Sequence, residues 1–252
     1  MSIVTLLTDF GTADSYVAEM KGALLSRAPS VTLVDISHQI APGDIRAGQY
    51  LLSRTWQRYP EWTIHLAVVD PGVGSARRAI AAQHEGHWFV APDNGLLSFL
   101  GDDARFVSLP IPADASPTFH GRDVFAPAAA RLATGGASLS VLGKPISDPV
   151  RSPLPVPTYD GTGVVGEVIY VDRFGTLVSN IGPSLVEPGV RIHVGGVDVG
   201  PLRRTFADAA PGALVAYTGS AGTVEIAVRD DSAARMLGVG VGAVVRAEQG
   251  RQ

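Results

Sequence analysis

The 252-residue sequence contains no cysteine. This absence excludes disulfides, thiolate nucleophiles, cysteine-ligated zinc and iron–sulfur clusters. Basic residues are not in excess either, because 20 Lys and Arg stand against 24 Asp and Glu, a formal net charge of −4. The chain therefore has no general positive field to attract a phosphate backbone or an anionic lipid surface, and neither nucleic acid nor a membrane is expected as a partner.

Targeting and cofactor-binding patterns are also missing. The segment MSIVTLLTDFG has no basic region before its short apolar run, and no run approaches the roughly 18 apolar residues that span a bilayer, so a cytoplasmic protein is expected. The loop Gly72-Val73-Gly74 completes neither a GxGxxG nor a Walker A pattern. No HExxH or comparable ligand spacing occurs, so no metal site is predicted.

The first part of the chain alternates strand-like and helix-like segments. Strands are predicted at 2–8, 31–36 and 63–69, with helices opening at Asp14 or Ser15 and at Asp44. This order is typical of an α/β domain with a mostly parallel central sheet. Further along, the pattern predicts a hairpin around His84-Glu85-Gly86-His87, a short helix at 93–100 and a longer helix at 123–134.

Five prolines between positions 145 and 157 favour a stiff, extended linker. We therefore predict an α/β domain over 1–144, a linker over 145–160 and a second domain over 161–252. The second domain contains strand-like segments at 164–171, 190–194, 213–217, 223–228 and 243–247. Short strands separated by Gly- and Asp-rich turns favour a small barrel or sandwich.

Acidic residues stand at the ends of the first three predicted strands: Asp9, Asp35 and Asp70. Carboxyl ends of parallel strands share one edge of a sheet, which is where α/β proteins bind ligands. Each Asp alone is equally well explained as a cap or turn residue. Arg77 and Arg78 follow Asp70 after a Gly-rich loop; an Arg beside Asp70 would favour the ionised carboxylate and orient it, although a simple loop-closing ion pair explains the spacing as well.

His120 precedes the predicted Ala-rich helix. A helix N-terminus disfavours imidazolium and would leave a neutral ring able to accept or relay a proton. A histidine in a surface loop, without chemistry, is the simpler alternative.

Six motifs taken together resemble the S-adenosylmethionine (SAM) hydroxide adenosyltransferases, SAM hydrolases related to the fluorinating and chlorinating SAM enzymes. The likeness runs in order from about residue 4 to residue 245 and rests on Thr8-Asp9-Phe10-Gly11 with Asp14, Asp35-Ile36-Ser37-His38, Val69-Asp70-Pro71-Gly72-Val73-Gly74 with Arg77, Ala91-Pro92-Asp93-Asn94-Gly95-Leu96, Thr118-Phe119-His120-Gly121-Arg122-Asp123 and Asp172-Arg173-Phe174-Gly175. The resemblance implies an α/β SAM-binding N-terminal domain, a C-terminal β-barrel, and a homotrimer whose active sites lie between subunits. It also implies the reaction of SAM with water to give adenosine and methionine. SAM is then a substrate, no cofactor is required, and adenosine is the ligand expected to co-purify.

The resemblance also assigns roles to residues. Asp70, Arg77 and His120 match the family's catalytic triad, and Asp9 matches the position that holds the ribose hydroxyls. Other substrate-binding positions fall on Phe10, Asp14, Gly121, Asp172, Phe174, Ser220, Val228 and Asp230. Asp172 matches the residue that receives the methionine ammonium. Phe174, Ser220, Val228 and Asp230, from the predicted barrel, match positions that enclose methionine and adenine.

Two alternatives stay open at this point. The first is a halogenase that uses the same site, but an anionic Asp70 would repel halide. Gly121 also stands where the fluorinating relative has a hydroxyl that can hydrogen-bond halide. A non-catalytic protein that binds SAM or adenosine is the second. This chain also departs from its relatives at Thr176, where they usually have Asn, and at Ser220-Ala221-Gly222, a weakened form of their loop.

Overall fold

The structure, a computed structural model, describes residues 2–135, 138–187 and 189–248. The chain forms two compact units, one ending at Pro153 and one beginning at Leu154. This division falls within the segment predicted as a linker. The last four residues of the predicted second domain, 249–252, lie outside the described residues.

The first unit has a central sheet with helices on both faces. Its elements are β1 (Ile3–Thr8), α1 (Tyr16–Leu25), β2 (Thr32–Ser37), α2 (Ile45–Thr55), β3 (Ile64–Val68), β4 (Ala79–His84), β5 (His87–Pro92), β6 (Arg105–Leu109), α3 (Ala126–Ala133), α4 (Leu139–Leu142) and β7 (Lys144–Ile146). Side chains alternate across β3: Ile64, Leu66 and Val68 join the core formed with α1 and α3, whereas His65 stacks at the opposite face near Trp56.

The sheet is mixed, with the order β2-β1-β3-β5-β4-β6-β7. β2, β1, β3 and β5 run parallel, whereas β4 is antiparallel to β5 and β6, and β7 is antiparallel to β6. The α/β class is confirmed, but the prediction of a mostly parallel sheet was wrong. The reason is the two-residue turn at Glu85 and Gly86, whose φ angles of 42° and 76° allow a tight hairpin that returns β5 beside β4.

Two predicted helix positions also differ. Residues 93–100 form turns rather than a helix, because Asn94 Oδ1 accepts from Leu96 N at 3.2 Å and Gly95 adopts a φ of +95°. The helix predicted from Asp123 begins as a π-helical turn over Gly121–Phe125, and its α-helical part starts at Ala126. The predicted cap Asp44 does begin α2, where its side chain accepts from Ala47 N at 2.9 Å.

The second unit is a closed barrel, as predicted. Its elements are β8 (Thr158–Tyr159), β9 (Gly163–Val171), β10 (Leu177–Ser179), β11 (Arg191–Val194), β12 (Val197–Arg203), β13 (Leu214–Thr218), β14 (Val224–Val228), α5 (Ala233–Leu237) and β15 (Val244–Glu248). Seven strands close the ring in the order β9-β10-β14-β13-β12-β11-β15, and β8 pairs with β9 outside it. All ring pairs are antiparallel except β12 with β13.

Within the described ranges, no helix has the length and apolar character needed to cross a membrane.

Candidate active site

Asp9 and Asp70 leave the sheet side by side. β1 and β3 are parallel neighbours with Thr8 opposite Val68, so the residues that follow them emerge at the same edge. Asp35 behaves differently, because it lies within β2 and its Oδ2 is 2.7 Å from Lys21 Nζ on α1. Two of the three strand-end acids therefore share this part of the rim, and the third is engaged by a lysine.

Asp70, Arg77 and His120 form one contiguous triad. Arg77 holds both carboxylate oxygens of Asp70: its Nε donates to Oδ1 at 3.0 Å, and its Nη2 donates to Oδ2. The same Nη2 lies 2.9 Å from His120 Nδ1. Only 9% of the Arg77 side chain and 4% of the Asp70 side chain are exposed, so this is a buried, bidentate ion pair rather than a solvated surface contact.

The loop after Asp70 is fixed by a close packing contact. Gly74 has a φ of +76°, and a Cβ at this position would lie 2.4 Å from the carbonyl oxygen of Pro117. Only glycine fits here, and its contact brings the loop of Asp70 against the segment that leads to His120. Arg78 takes no part in the triad, because its guanidinium binds Asp93 and Asp148, each at 2.7 Å.

A polar contact from the next strand supports the base of this loop. Asn94 Nδ2 donates to Val69 O at 2.8 Å, one residue before Asp70. The motif Ala91-Pro92-Asp93-Asn94-Gly95 therefore anchors the backbone that carries the carboxylate.

The protonation state of His120 follows from its neighbours. Arginine can only donate, so Nδ1 of His120 accepts, and a neutral ring carries its proton on Nε2. Burial lowers the pKa of His120, and the positive charge of Arg77 lowers it further. The neutral ring was predicted, but the predicted cause was different: His120 precedes a π-helical turn rather than an α-helix, and the structure instead supplies burial and Arg77.

Three aromatic side chains form a wall beside the triad. Phe10, Tyr16 and Phe119 lie with ring centroids 5.3 to 6.1 Å apart in tilted and edge-to-face arrangements. Gly121 lies against this wall, because a Cβ there would be 3.1 Å from Phe10 Cζ.

Arg122 ties the wall to helix α1. Its guanidinium lies 4.9 Å above the Phe119 ring, donates to both oxygens of Asp123 at 2.7 and 2.9 Å, and reaches Glu19 Oε2 at 2.9 Å. Asp123 in turn accepts from Ser116 N at 2.9 Å. The segment carrying His120 is therefore held at both ends.

Most of these side chains, but not Arg77 or Asp123, line a cavity of about 560 Å³. Its lining residues are Asp9, Phe10, Tyr16, Glu19, Val68, Asp70, Val73, Ser116, Thr118, Phe119, His120, Gly121 and Arg122. Asp9 accepts from Gly43 N at 2.7 Å, and burial, with a smaller contribution from the charge of Asp70, raises its pKa. Asp14 is exposed in the loop before α1 and is not among the lining residues.

A second cavity, of about 870 Å³, lies in the barrel unit. Of the predicted residues it brings together Asp172, Phe174, Val228 and Asp230. Asp172 Oδ1 accepts from the backbone N–H groups of Phe174 and Thr176 at 2.9 and 2.8 Å. Ser220 lies in the turn between β13 and β14 and is not part of the lining.

Sequence reasoning missed several lining residues. Phe119 and Arg122 flank His120 in a motif that was singled out, so the motif itself was the available signal. Tyr16 also lines a cavity but lies just outside the first motif. Phe206 and Tyr217 are distant in sequence from every motif, so no local pattern pointed to them.

In the part of the chain that the structure describes, no group of three or more His, Asp or Glu side chains is arranged to hold a metal ion.

Comparisons with known proteins identify the class to which this fold and triad belong. The model of the SAM hydroxide adenosyltransferase N-terminal domain matches residues 4–143, and that of the corresponding C-terminal domain matches residues 166–246. These matches cover more than half of the chain on both sides of the boundary between its units. The chain belongs to the SAM hydroxide adenosyltransferase family.

Individual relatives agree over nearly the full length. An (R)-S-adenosyl-L-methionine hydrolase of Thermus thermophilus is 44% identical, with 98% of this chain and 99% of the relative aligned. A Salinispora tropica protein of the same name is 40% identical over 98% of each chain. Among solved structures, an uncharacterized conserved protein from Thermotoga maritima superposes with a TM-score of 0.88 at 32% identity, covering 97% of this chain and 99% of the other.

Fluorinases are more distant. One from Actinoplanes sp. is 31% identical over 89% of this chain and 90% of its own length. The identities therefore favour the hydrolases over the halogenating branch.

Proposed function

We propose that this protein hydrolyses SAM to adenosine and L-methionine by in-line attack of water on C5′. It is an enzyme that acts on SAM, as its relatives with 40 and 44% identity over nearly the whole chain are. The observation that carries the mechanism is the buried triad of Asp70, Arg77 and His120, of which Asp70 and His120 line one cavity together with Asp9 while Arg77 holds both of them.

The substrate sets the demands on the site. The sulfonium of SAM leaves as a neutral thioether, so the leaving group needs no general acid. The difficult tasks are to place water in line with C5′ and to exclude bulk solvent. The attacking oxygen has anionic character and the sulfonium is positive, so these two charges partly neutralise each other in the transition state. A desolvated pocket therefore favours the transition state over the charge-separated ground state.

Asp70 is the proton acceptor in this proposal. The Arg77 guanidinium occupies one side of the carboxylate and fixes its direction. The water proton becomes strongly acidic as the C5′–O bond forms, so a carboxylate suffices as its acceptor. The balance is SAM plus water giving adenosine, methionine and one proton, which passes from the attacking oxygen to Asp70 and then to solvent.

His120 orients the water rather than deprotonating it. Its Nδ1 is engaged by Arg77, and the neutral ring has its remaining proton on Nε2, so that nitrogen donates to the water oxygen. Both partners of the water are thus held by the same guanidinium, which makes Arg77 the residue that sets their separation.

The remaining substrate contacts divide between the two cavities. Asp9 is suited to accept from both ribose hydroxyls, because a carboxylate offers two oxygens. We assign Phe10 and Gly121 to the wall beside the nucleoside, and Asp172, Phe174, Val228 and Asp230 to the methionine and adenine ends. We further propose a homotrimer in which the first-unit cavity of one subunit meets the barrel cavity of the next. Asp14 and Ser220, which line neither cavity, stay assigned to substrate on the family resemblance alone.

A direct test is product analysis. Purified protein is incubated with SAM in the absence of halide and in the presence of chloride or fluoride, and the products are separated. We expect adenosine and methionine in equal amounts whatever the halide. A 5′-halogenated adenosine would show a halogenase, and unchanged SAM despite binding would show a non-catalytic binding protein. A cytoplasmic location and adenosine as a co-purifying ligand stay part of the proposal.

A further inference from the structure

The motif Asp35-Ile36-Ser37-His38 has no part in the roles assigned so far, yet its last residue lies beside the turn that carries Asp9. The His38 side chain is buried, with 5% of the residue exposed. Its Nδ1 lies 2.8 Å from Thr8 Oγ1, and its carbonyl oxygen accepts from Gly11 N at 2.8 Å. His38 therefore holds the turn at its first residue and at its last.

The hydrogen bonds around His38 run in one direction. Its Nε2 lies 3.2 Å from Asp35 Oδ1, and Lys21 Nζ donates to Asp35 Oδ2 at 2.7 Å. Partial burial raises the pKa of Asp35, but the bonds from Lys21 and His38 together outweigh it and lower the pKa, so Asp35 is an ionised acceptor. The neutral imidazole then carries its proton on Nε2, and its Nδ1 accepts from the Thr8 hydroxyl. Thr8 Oγ1 in turn accepts from Phe10 N at 3.3 Å.

The strand pairing brings His38 to this position. Leu6 of β1 lies opposite Asp35 of β2, but the next pair is Leu7 with Ser37, so Ile36 is an extra residue without a partner in β1. An extra residue of this kind changes the direction of the side chains that follow it. The two residues that come next, one on each strand, make the contact between imidazole and hydroxyl. This contact therefore lies beyond the last paired position, at the edge of the sheet where the cavity is.

The segment 38–43 makes further contacts with the same turn. Gly43 N donates to Asp9 Oδ2 at 2.7 Å, and Gln39 Nε2 donates to Thr12 Oγ1 at 3.0 Å. The bond from Gly43 orients the Asp9 carboxylate and uses one of its lone pairs, so acceptor positions remain for a ligand. The turn before α1 is thus held from β2 along its whole length.

We propose that His38 is a positioning residue for the nucleoside: through Thr8 it holds the turn that presents Asp9 to the ribose hydroxyls and Phe10 to the cavity wall. His38 is not among the residues that line the cavity, so it acts through this turn and does not touch the substrate. The inference rests on the proposed function, which supplies the ribose as the ligand of Asp9.

Two nucleosides separate positioning from folding, because adenosine has both ribose hydroxyls and 2′,3′-dideoxyadenosine has neither. The affinity for each is measured by calorimetry on protein freed of nucleoside. His38→Ala is expected to weaken adenosine roughly fivefold, the contribution of one hydrogen bond, and to leave dideoxyadenosine within about twofold. In steady-state kinetics the same variant should raise KM for SAM and leave kcat nearly unchanged.

A double-mutant cycle shows whether His38 acts through Asp9. In the Asp9→Ala protein, His38→Ala should weaken adenosine by less than about twofold, because the carboxylate that it positions is already gone. Thr8→Val keeps the shape of the side chain and removes the hydroxyl, so it should repeat the ribose-selective loss. His38→Asn should retain most of the adenosine affinity, because the Asn amide has an atom at the position of Nδ1.

His84→Ala is a matched control. His84 is also buried and its Nδ1 lies 3.2 Å from a carboxylate oxygen of Asp103, but it lines neither the cavity of the triad nor that of the barrel. Both nucleoside affinities should be unchanged in this variant.

Equal losses for the two nucleosides in His38→Ala, or additive effects in the cycle, would indicate a purely structural role and overturn the proposal. Unchanged adenosine affinity in His38→Ala would overturn it as well, as would a His38→Asn protein that binds adenosine as weakly as His38→Ala. If His38→Ala fails to fold, the Thr8→Val protein supplies the same comparison. Failure of the proposed function would appear differently, as the absence of SAM hydrolysis by the unaltered protein, and would leave the nucleoside affinities measurable.

Discussion

Arg77 Nη2 lies 2.9 Å from His120 Nδ1, and this contact decides which nitrogen of the imidazole carries the proton. Since the guanidinium cannot accept, the neutral ring is protonated at Nε2. The same guanidinium holds both oxygens of Asp70. One side chain therefore fixes the donor and the acceptor that we assign to the attacking water.

The pH dependence of turnover follows from this contact. Protonation of His120 at Nδ1 would place its N–H against an N–H of Arg77 and break the triad. Burial and the positive charge of Arg77 both lower the pKa of His120 from its usual 6.5. Turnover is therefore expected to stay high on the acid side of pH 6.5 and to fall with a midpoint below that value. The measurement is kcat between about pH 5 and about pH 9. An acid limb centred above pH 6.5 that disappears in His120→Asn would contradict this assignment.

Asp70→Ala should separate chemistry from nucleoside binding. The carboxylate acts on water, so kcat is expected to fall by roughly 100-fold or more, while adenosine affinity changes by less than about threefold. Asp148→Asn is a matched control, because Asp148 binds the neighbouring Arg78 at 2.7 Å but is 78% exposed and outside the triad. Substantial residual turnover in the Asp70→Ala protein would be inconsistent with its role as proton acceptor.

Asp9→Asn should give the opposite pattern. Asp9 lines the cavity, and we assign it to the ribose hydroxyls rather than to the attacking water. Adenosine affinity is expected to fall roughly 10-fold with little change in kcat at saturating SAM. A loss confined to kcat would show that Asp9 belongs to the chemical step instead.

Gly121→Ala tests the fit of the nucleoside wall. The added Cβ would lie 3.1 Å from Phe10 Cζ and 3.3 Å from Phe119 Cε2, so the wall must shift. We expect kcat/KM for SAM to fall roughly 10-fold, equivalent to about 1.4 kcal/mol of overpacking. Gly22→Ala on α1 is the control, because a Cβ there meets nothing within 4 Å. Unchanged kcat/KM in Gly121→Ala would show that the wall does not shape the bound state.

The first unit should lose stability on mild acidification. His65 is fully buried, its Nδ1 lies 2.8 Å from Thr5 Oγ1 and its Nε2 lies 3.2 Å from His87 Nδ1, and burial lowers its pKa to about 3. A lowered folded-state pKa means that stability is fully present above pH 6.5 and is lost as the pH falls from 6.5 toward 3. This one group can contribute up to about 1.4 kcal/mol per pH unit in that interval.

Urea unfolding followed by tryptophan fluorescence measures this loss, because all three Trp, at positions 56, 62 and 88, lie in the first unit. The pH dependence should become shallower in the double variant Thr5→Val, His65→Leu, which removes the buried imidazole and the hydroxyl bound to it, and should be unaltered in His193→Leu of the barrel. An identical pH dependence in the double variant would mean that His65 is not the titrating group.

Much of the architecture follows from periodicity and turn chemistry. The apolar runs that become β1, β3 and β5, the cap Asp44 and the Glu85-Gly86 turn are all local signals, and each has the predicted role. Strands β6 and β7 were not predicted, and their direction is not a local property, since it depends on which sheet edge is open beside β4. Strands β8, β10 and β12 were missed because they are short or contain Gly and Pro, so their pairing depends on barrel closure.

The site divides in the same way. Asp9 and Asp70 could be placed together because neighbouring parallel strands deliver their ends to one edge. The contact between Arg77 and His120 spans 43 positions in the chain and depends on the Gly74 approach to Pro117, which spacing alone does not reveal.

In the proposed reaction water attacks C5′ of SAM, and isotopic labelling shows where the new carbon–oxygen bond forms. Single-turnover hydrolysis in ¹⁸O-water, followed by mass spectrometry of the separated products, locates the new bond. We expect one ¹⁸O atom in the 5′-hydroxyl of adenosine and none in methionine. Label in a product derived from the amino-acid chain, with methylthioadenosine as its partner, would contradict it.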